Sequence, residues 1–424
     1  MRIKELFTAS NFVHLSIFIF FVFGMIFKTS YSVTTVSLLL ISIYIIVRYR
    51  QDIDFKKGHP IAVVFLLYAC TVTIVNLFGW HDARDYEPPL RFFLAVPIVY
   101  AMTYIKINRL FIMVCIAIGG IAMSVLAVYQ VYELNFARAG VYYIRFGNIG
   151  ILTAFFCLAS FLFIPQNFRS NQQLLLKLLL CLGIVGGVIS SVLSETRGGW
   201  VLPIFAIPFI LFLLFKHSKR IIRDITLMAL ACSVVMAGLY FTPLTGIQKR
   251  ISQAITEVEK YGPNQSSSRT SVGARLEMWR LVTQVIQEKP YVGWGVDGYR
   301  DRMKQFVQEK QAKSTILHRH PHNEILNEAS KRGVFAALWV ILGFYIFYFA
   351  NYSKRLNHPD IAVRYYATLG CLVIMGWFSF GLTDVFLEHS QTISYFIVYM
   401  SVFWGGLVQS EKQSQTSDNL SLTS

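Results

Sequence analysis

Apolar runs of roughly 17 to 22 residues recur along most of this chain, and each is about the length a helix needs to cross the hydrocarbon of a bilayer. About twelve such runs can be read, near Asn11–Lys28, Tyr31–Val47, Ile61–Trp80, Leu90–Ile105, Leu110–Tyr132, Asn148–Phe163, Leu174–Leu193, Trp200–Phe215, Ile225–Phe241, Val334–Asn351, Tyr365–Thr383 and Thr392–Val408. In lipid each backbone N–H and C=O needs a partner inside the protein, so runs of this length fold as helices. The sequence is 55% hydrophobic and only 15% charged over 424 residues, which leaves too little polar surface to cover one soluble core. The expected fold is an all-α polytopic membrane protein. Residues 1–241 hold the first nine helices, 242–332 form one long, mostly helical segment outside the membrane, 333–408 hold the remaining helices and 409–424 form a tail. Gly183–Gly187 is the place where the seventh run could depart from a regular helix.

Sidedness is read from the short connections. Arg2 and Lys4, then Arg48, Arg50, Lys56 and Lys57, then Lys106 and Arg109, then Lys216, Lys219, Arg220 and Arg223, then Lys354, Arg355 and Arg364 fall in alternate connections. The positive-inside bias puts both termini in the cytoplasm and the 242–332 segment on the far face, the periplasm of a bacterial inner membrane. The first run follows Met1–Asn11 without a small-residue cleavage site and is expected to stay as a span. A net charge of +16 would suggest nucleic acid in a soluble protein. Here it is first a matter of which membrane face holds it, and no nucleic-acid partner is expected. Basic residues outnumber acidic ones even within 242–332; either those cations act there or a long segment escapes the charge bias. Cys70, Cys115, Cys157, Cys181, Cys232 and Cys371 all lie in apolar runs and read as small core residues rather than disulfides or metal ligands.

Within the long segment, Tyr261-Gly-Pro-Asn-Gln-Ser-Ser-Ser-Arg269 is a turn-rich polar connection. From Ser271, Leu276, Trp279, Val282 and Val285–Ile286 recur at helical spacing until Pro290, which predicts a helix with Arg275 in its first turns. Val292-Gly-Trp-Gly-Val-Asp-Gly298 predicts a glycine-rich turn, and Arg300–Lys313 a polar helix. Then comes His318-Arg-His-Pro-His-Asn-Glu324. Pro321 disfavours helical geometry at His320, so alternate histidines share a face before it. A helix starting at Pro321 would place His322 in its first turn, where the dipole disfavours a positive imidazole.

Three chemistries fit these histidines. His318, His320 and His322 with Glu324 could hold a metal, although the protease pattern of two helical histidines around a glutamate is absent. The rings could be structural. The reading preferred here is a general base at His322 with His320 beside it. Arg197, in a very short turn after Ser194-Glu195-Thr196, is a functional candidate as an ionisable residue at a membrane end, or it snorkels or pairs with Glu195. Arg145 lies in the connection before the sixth run and Arg91 begins the fourth run on the same face, and Arg84 and Arg138 read as surface charge. Guanidinium groups converging from separate loops suit a lipid-linked pyrophosphate, whose oxygens they match in pairs without a metal. Asp384 could pair with one of these arginines, position a sugar hydroxyl or form a structural salt bridge.

Thr196-Arg-Gly-Gly199, Ser271-Val-Gly-Ala-Arg-Leu-Glu-Met278, the Gly293–Gly298 turn and His320-Pro-His-Asn-Glu-Ile325, in this order, resemble the O-antigen ligase and polymerase superfamily of bacterial envelope glycosyltransferases. The Gly-Ala-Arg-Leu and His-x-His-Asn-Glu elements, with Thr383-Asp384, look closer to the ligases. The resemblance implies transfer of a glycan from undecaprenyl pyrophosphate to the outer-core sugar of lipid A–core at the periplasmic face, without a cofactor. It implies Arg197, Arg275 and His322 as the essential set, with Arg145, Arg91, His320 and Asp384 binding substrate. No Asp-x-Asp motif occurs in the long segment, so metal independence is expected. A polymerase would use the same arginine and histidine roles. A transporter of a lipid-linked anion would instead place ionisable or broken-helix sites near the midplane, whereas here they gather at one face.

Overall fold

Local chemistry opens two of the helices visibly. Asn108 accepts the Leu110 N–H at 2.9 Å, and Asp360 accepts from Ala362 and Val363 at 2.7 and 2.9 Å, each satisfying N–H groups that a helix start leaves unbonded. The computed structural model describes residues 2–216, 223, 252, 256, 271–310, 316–317 and 320–423, and every regular element among them is helical. In chain order these are α1 (Arg2–Phe23), α2 (Ser30–Tyr49), α3 (Phe55–Phe78), α4 (Glu87–Met102), α5 (Arg109–Val128), α6 (Tyr143–Ser160), α7 (Ser170–Leu193), α8 (Leu202–Phe215), α9 (Ser271–Glu288), α10 (Gly295–Gln308), α11 (Glu324–Trp339), α12 (Tyr348–Ser353), α13 (Ile361–Gly381) and α14 (Ser390–Thr423). A π-helical stretch, Val340–Phe347, joins α11 to α12.

Among the described residues nine helical stretches are long and apolar enough to cross a membrane, and the chain is a multi-pass membrane protein. Of the other expected runs, the first corresponds to a shorter apolar helix, Thr8–Phe23, and the fourth to the 16-residue α4. Ile225–Phe241 lies outside the described residues, as does the Tyr261–Arg269 connection.

Two compact units are formed. The first comprises Met1–Ile74, Tyr86–Pro203 and Leu338–Ser424. Its core is aromatic: Phe344 and Trp377 pack on Phe396 at 5.2 and 5.3 Å between ring centroids. Polar tips of buried rings find backbone acceptors, as Tyr348 does on Ile61 (2.8 Å) and Tyr366 on Ile107 (2.9 Å), since an unmade hydrogen bond in an apolar interior is costly. The Gly183–Gly187 stretch does not distort α7, which runs unbroken from Ser170 to Leu193. Its glycines instead let backbones touch: a Cβ on Gly186 would overlap the Gly120 carbonyl of α5, and one on Gly187 the Gly150 carbonyl of α6.

The second unit comprises Val75–Asp85 and Ile204–Ala337. Here α9 and α10 enclose a small core of Met278, Leu281, Val282, Val285, Tyr299, Met303, Phe306 and Ile316. The buried face of α9 is Met278–Leu281–Val282–Val285; Val282 and Val285 of the expected stripe lie in it and Ile286 packs against it, while Met278 and Leu281 take the places expected of Leu276 and Trp279. Arg302 of α10 clasps Glu288 at the end of α9 at 2.6 Å. α11 breaks at Gly333, whose φ of +80° and overlap with the Tyr291 carbonyl admit no side chain, so the segment before Val334 is a separate short helix.

Candidate functional site

In the first unit, α6 begins against the Arg197 turn. Thr196 Oγ1 donates to the Tyr143 carbonyl at 2.9 Å, Ala139 N–H bonds the Leu193 carbonyl at 2.9 Å, and a Cβ on Gly198 would meet the Thr383 hydroxyl. Three connections thus meet: the one before α6, the Arg197 turn and the end of α13. Arg197 is exposed, and among the described residues its side chain has no ion pair; Glu195, the partner weighed for it, instead pairs with Arg138 at 3.3 Å. Arg145 stacks on Tyr142 at 4.5 Å and lies within electrostatic reach of Asp384 and Glu388. Asp384 is buried. Arg91 is engaged by Glu87 one turn earlier on α4, at 2.8 Å. Arg84, 77% exposed, stands 3.9 Å from Asp297 within the second unit.

The second unit places the histidines and Arg275. His320 and His322, on either side of Pro321, stand edge to face with ring centroids 4.5 Å apart. His318 lies outside the described residues. One expectation is corrected: α11 starts at Glu324, and His322 precedes it with φ +51°. Asn323 overrides Pro321 as the start signal, because its side chain accepts the Leu326 N–H at 3.1 Å and caps the helix, which a proline cannot do. His322 is therefore fixed by a left-handed turn ahead of the helix rather than by its first turn. Trp279 of α9 donates its indole N–H to the Pro321 carbonyl at 2.8 Å. Arg275 lies four residues before Trp279, one turn along the same face, so α9 presents the face carrying Arg275 to the histidine turn.

A buried charged node behind this turn escaped the sequence reading. Glu324, Asn327, Glu328, Lys331 and Arg332 on α11 are all at most 1% exposed, and Arg332 pairs with Glu328. Asp85, fully buried in the connection after α3, accepts the Val296 N–H at 3.0 Å. Burial lifts its carboxyl above the usual carboxylate range, and nearby Arg332 and His81 pull against that rise. Burial likewise lowers the His81 imidazole below its ordinary value, with Asp85 opposing. The signal available in the sequence was the cluster Trp80-His81-Asp82-Ala83-Arg84-Asp85 just past a span, where ionisable residues are functional candidates by default.

Comparison with known proteins adds a lineage to this geometry. A family model described as O-antigen ligase matches residues 182–341, which include Arg197, Arg275, His320 and His322 but not Arg91, Arg145 or Asp384. The chain is 28% identical over 395 residues, 91% of its length and 96% of the other's, to an uncharacterized protein of Haemophilus influenzae. It is 25% identical over 201 residues, 46% of this chain and 43% of the other, to the O-antigen ligase of Escherichia coli.

Proposed function

This chain belongs to the O-antigen ligase superfamily, and from that premise we propose that it is a glycosyltransferase of a bacterial inner membrane that joins a lipid-carried glycan to lipid A–core. The donor in this reading is O-antigen on undecaprenyl pyrophosphate, and the acceptor an outer-core sugar hydroxyl at the periplasmic face. The observation that carries it is the pairing of His320 and His322 in a turn that Trp279 fastens to the Arg275 face of α9.

A sugar hydroxyl is a weak nucleophile. His322 takes its proton as the oxygen attacks the anomeric carbon, the new glycosidic bond forms, and the bond to pyrophosphate breaks with its electron pair leaving on the lipid carrier. Arg275 and Arg145 stabilise the charge that develops on the departing pyrophosphate, and Arg197 organises the site. His320, Asp384 and Arg91 contact substrate. Direct displacement inverts the anomeric configuration, which linkage analysis of the product tests; retention would exclude it. The step is proposed to need no metal, so EDTA should leave the rate unchanged, and loss restored by a divalent ion would refute that.

Transfer is measured with purified protein, lipid-linked glycan and lipid A–core. His322→Ala is expected to lose about 10²–10⁴-fold in rate and Arg275→Ala about 10²–10³-fold. Full activity in both would overturn the assignment. Growth of polymer on the lipid carrier, with none on lipid A–core, would make the chain a polymerase instead.

A further inference from the structure

Asp85 sits on a connection that carries none of the residues assigned above, yet it is fully buried in the second unit. Both of its carboxylate oxygens face the Val296 N–H, at 3.0 and 3.3 Å, so α10 is capped by a side chain 211 residues away in sequence. Its own backbone is held in turn: Asn76 Nδ2 donates to the Asp85 carbonyl at 2.8 Å, and Asn76 Oδ1 meets His81 Nδ1 at 3.1 Å.

The capped turn is laid directly on α11. Trp294 N–H bonds the Ser330 carbonyl at 3.0 Å, Val334 N–H bonds the Pro290 carbonyl at 2.8 Å, and Gly293 lies against the Lys331–Arg332 backbone too closely for any side chain. Gly295, at φ +67°, leaves room for the carboxylate; a Cβ there would come within 3.0 Å of Asp85 Oδ2. The carboxylate also lies within electrostatic reach of Arg332 and Lys331 on α11. An uncharged acceptor would serve as a cap, so the negative charge adds something that capping does not require: a directed attraction for the α11 cations in a site of low dielectric.

We propose that Asp85 is a positioning residue for the glycan transfer, its charge holding the start of α10, after the turn at Gly293–Trp294, and α11 in one register through Val296 and Arg332 and thereby setting the His320–His322 turn against α9. This rests on the functional reading above for its kinetic consequence, though not for its geometry. The burial that raises the carboxyl's pKa agrees with it, because a charge that costs stability is retained for orientation rather than for folding.

The test is Asp85→Asn in the full chain, which keeps an oxygen for Val296 and removes the charge facing Arg332. The expected result is a fall of about tenfold in kcat, a change of less than about twofold in KM for the lipid-linked donor, and a Tm unchanged or raised. Arg332→Gln, which also removes the partner of buried Glu328, should lose at least as much, and the double variant less than the product of the two single losses, because the two variants remove one shared attraction. Unchanged kcat, a parallel fall of Tm and kcat, or additive losses would each overturn the proposal. If the wild-type protein transfers no glycan, the functional reading has failed on its own account. Positioning is then read by NMR of ¹³C,¹⁵N-histidine protein: movement of the His320 and His322 signals in Asp85→Asn sustains it, and unmoved signals refute it.

Discussion

His322 carries its ring on a left-handed backbone, φ +51°, that an L-residue adopts at a cost of roughly 1–2 kcal/mol. Glycine has no such cost. His322→Gly is therefore expected to be at least as heat-stable as His322→Ala while both lose transfer activity, so that stability and function part company at this position. A His322→Gly protein that melts lower than His322→Ala would show that the turn is not strained. Asp85 gives a pH signature of the same kind. Its folded pKa is raised, so its contribution to stability is complete below the ordinary carboxylate value, about 3.9, and is lost as pH rises through the raised pKa. The groups facing it are Arg332, His81 and Lys331, with the Val296 N–H. Against wild type, Asp85→Asn should gain in Tm as pH increases from about 4 to about 7; a Tm difference flat across that range would refute the assignment. Arg275 and His322 were legible because each sits in a recognisable string of neighbours. Asp85 was less so: the cluster His81-Asp82-Ala83-Arg84-Asp85 marks the connection, but nothing in its spacing singles out one carboxylate or points to Val296, 211 residues distant.

Helices are where composition and contact give opposite answers. On intrinsic propensity alone, Gly186→Ala in the interior of α7 should stabilise by about 1 kcal/mol. The packing predicts the reverse sign, because the added Cβ would overlap the Gly120 carbonyl of α5. A lowered Tm or reduced yield of folded protein in detergent is expected, and a raised Tm would mean that α5 and α7 are less closely seated. The sequence displayed these glycines but not their partners, so the same spacing read equally well as a place of distortion. α9 shows the converse limit. The stripe expected from Leu276, Trp279, Val282 and Val285–Ile286 shares Val282 and Val285 with the buried face, and only the facing residues Tyr299, Met303 and Phe306 of α10 decide that Met278 and Leu281 complete it. That choice leaves Trp279 free of the core, with its indole available to the Pro321 carbonyl. The helix starts divide similarly: in the structure Asp360 and Asn108 cap their helices alone, whereas at α11 Pro321 and Asn323 stand two residues apart and Asn323 prevails.

For the molecule as a whole, the proposed function turns on parity. Arg91, Arg145 and Arg197 precede the apolar run at Ile225–Phe241, and Arg275, His322 and Asp384 follow it. If every expected run crosses, all six residues lie in connections or at a run's end on one face, opposite the basic connections at Lys56–Lys57 and Lys354–Arg355. If Ile225–Phe241 does not cross, the residues after it change sides and no single site can hold both sets. The run is 17 residues by its numbering, at the short end of what spans a bilayer, so it is the point at which the proposal is most exposed. Single cysteines at exposed positions decide it, introduced into a protein whose native cysteines are replaced by serine or alanine: Gln51→Cys and Pro359→Cys in the basic connections, and Gln287→Cys on α9. In cells with a permeabilised outer envelope but an intact inner membrane, an impermeant maleimide should label Gln287→Cys and spare the other two, and disruption of the inner membrane should expose all three. Labelling of Pro359→Cys with protection of Gln287→Cys would mean that Ile225–Phe241 stays on one side, and that His322 and Arg275 cannot share a reaction with Arg197.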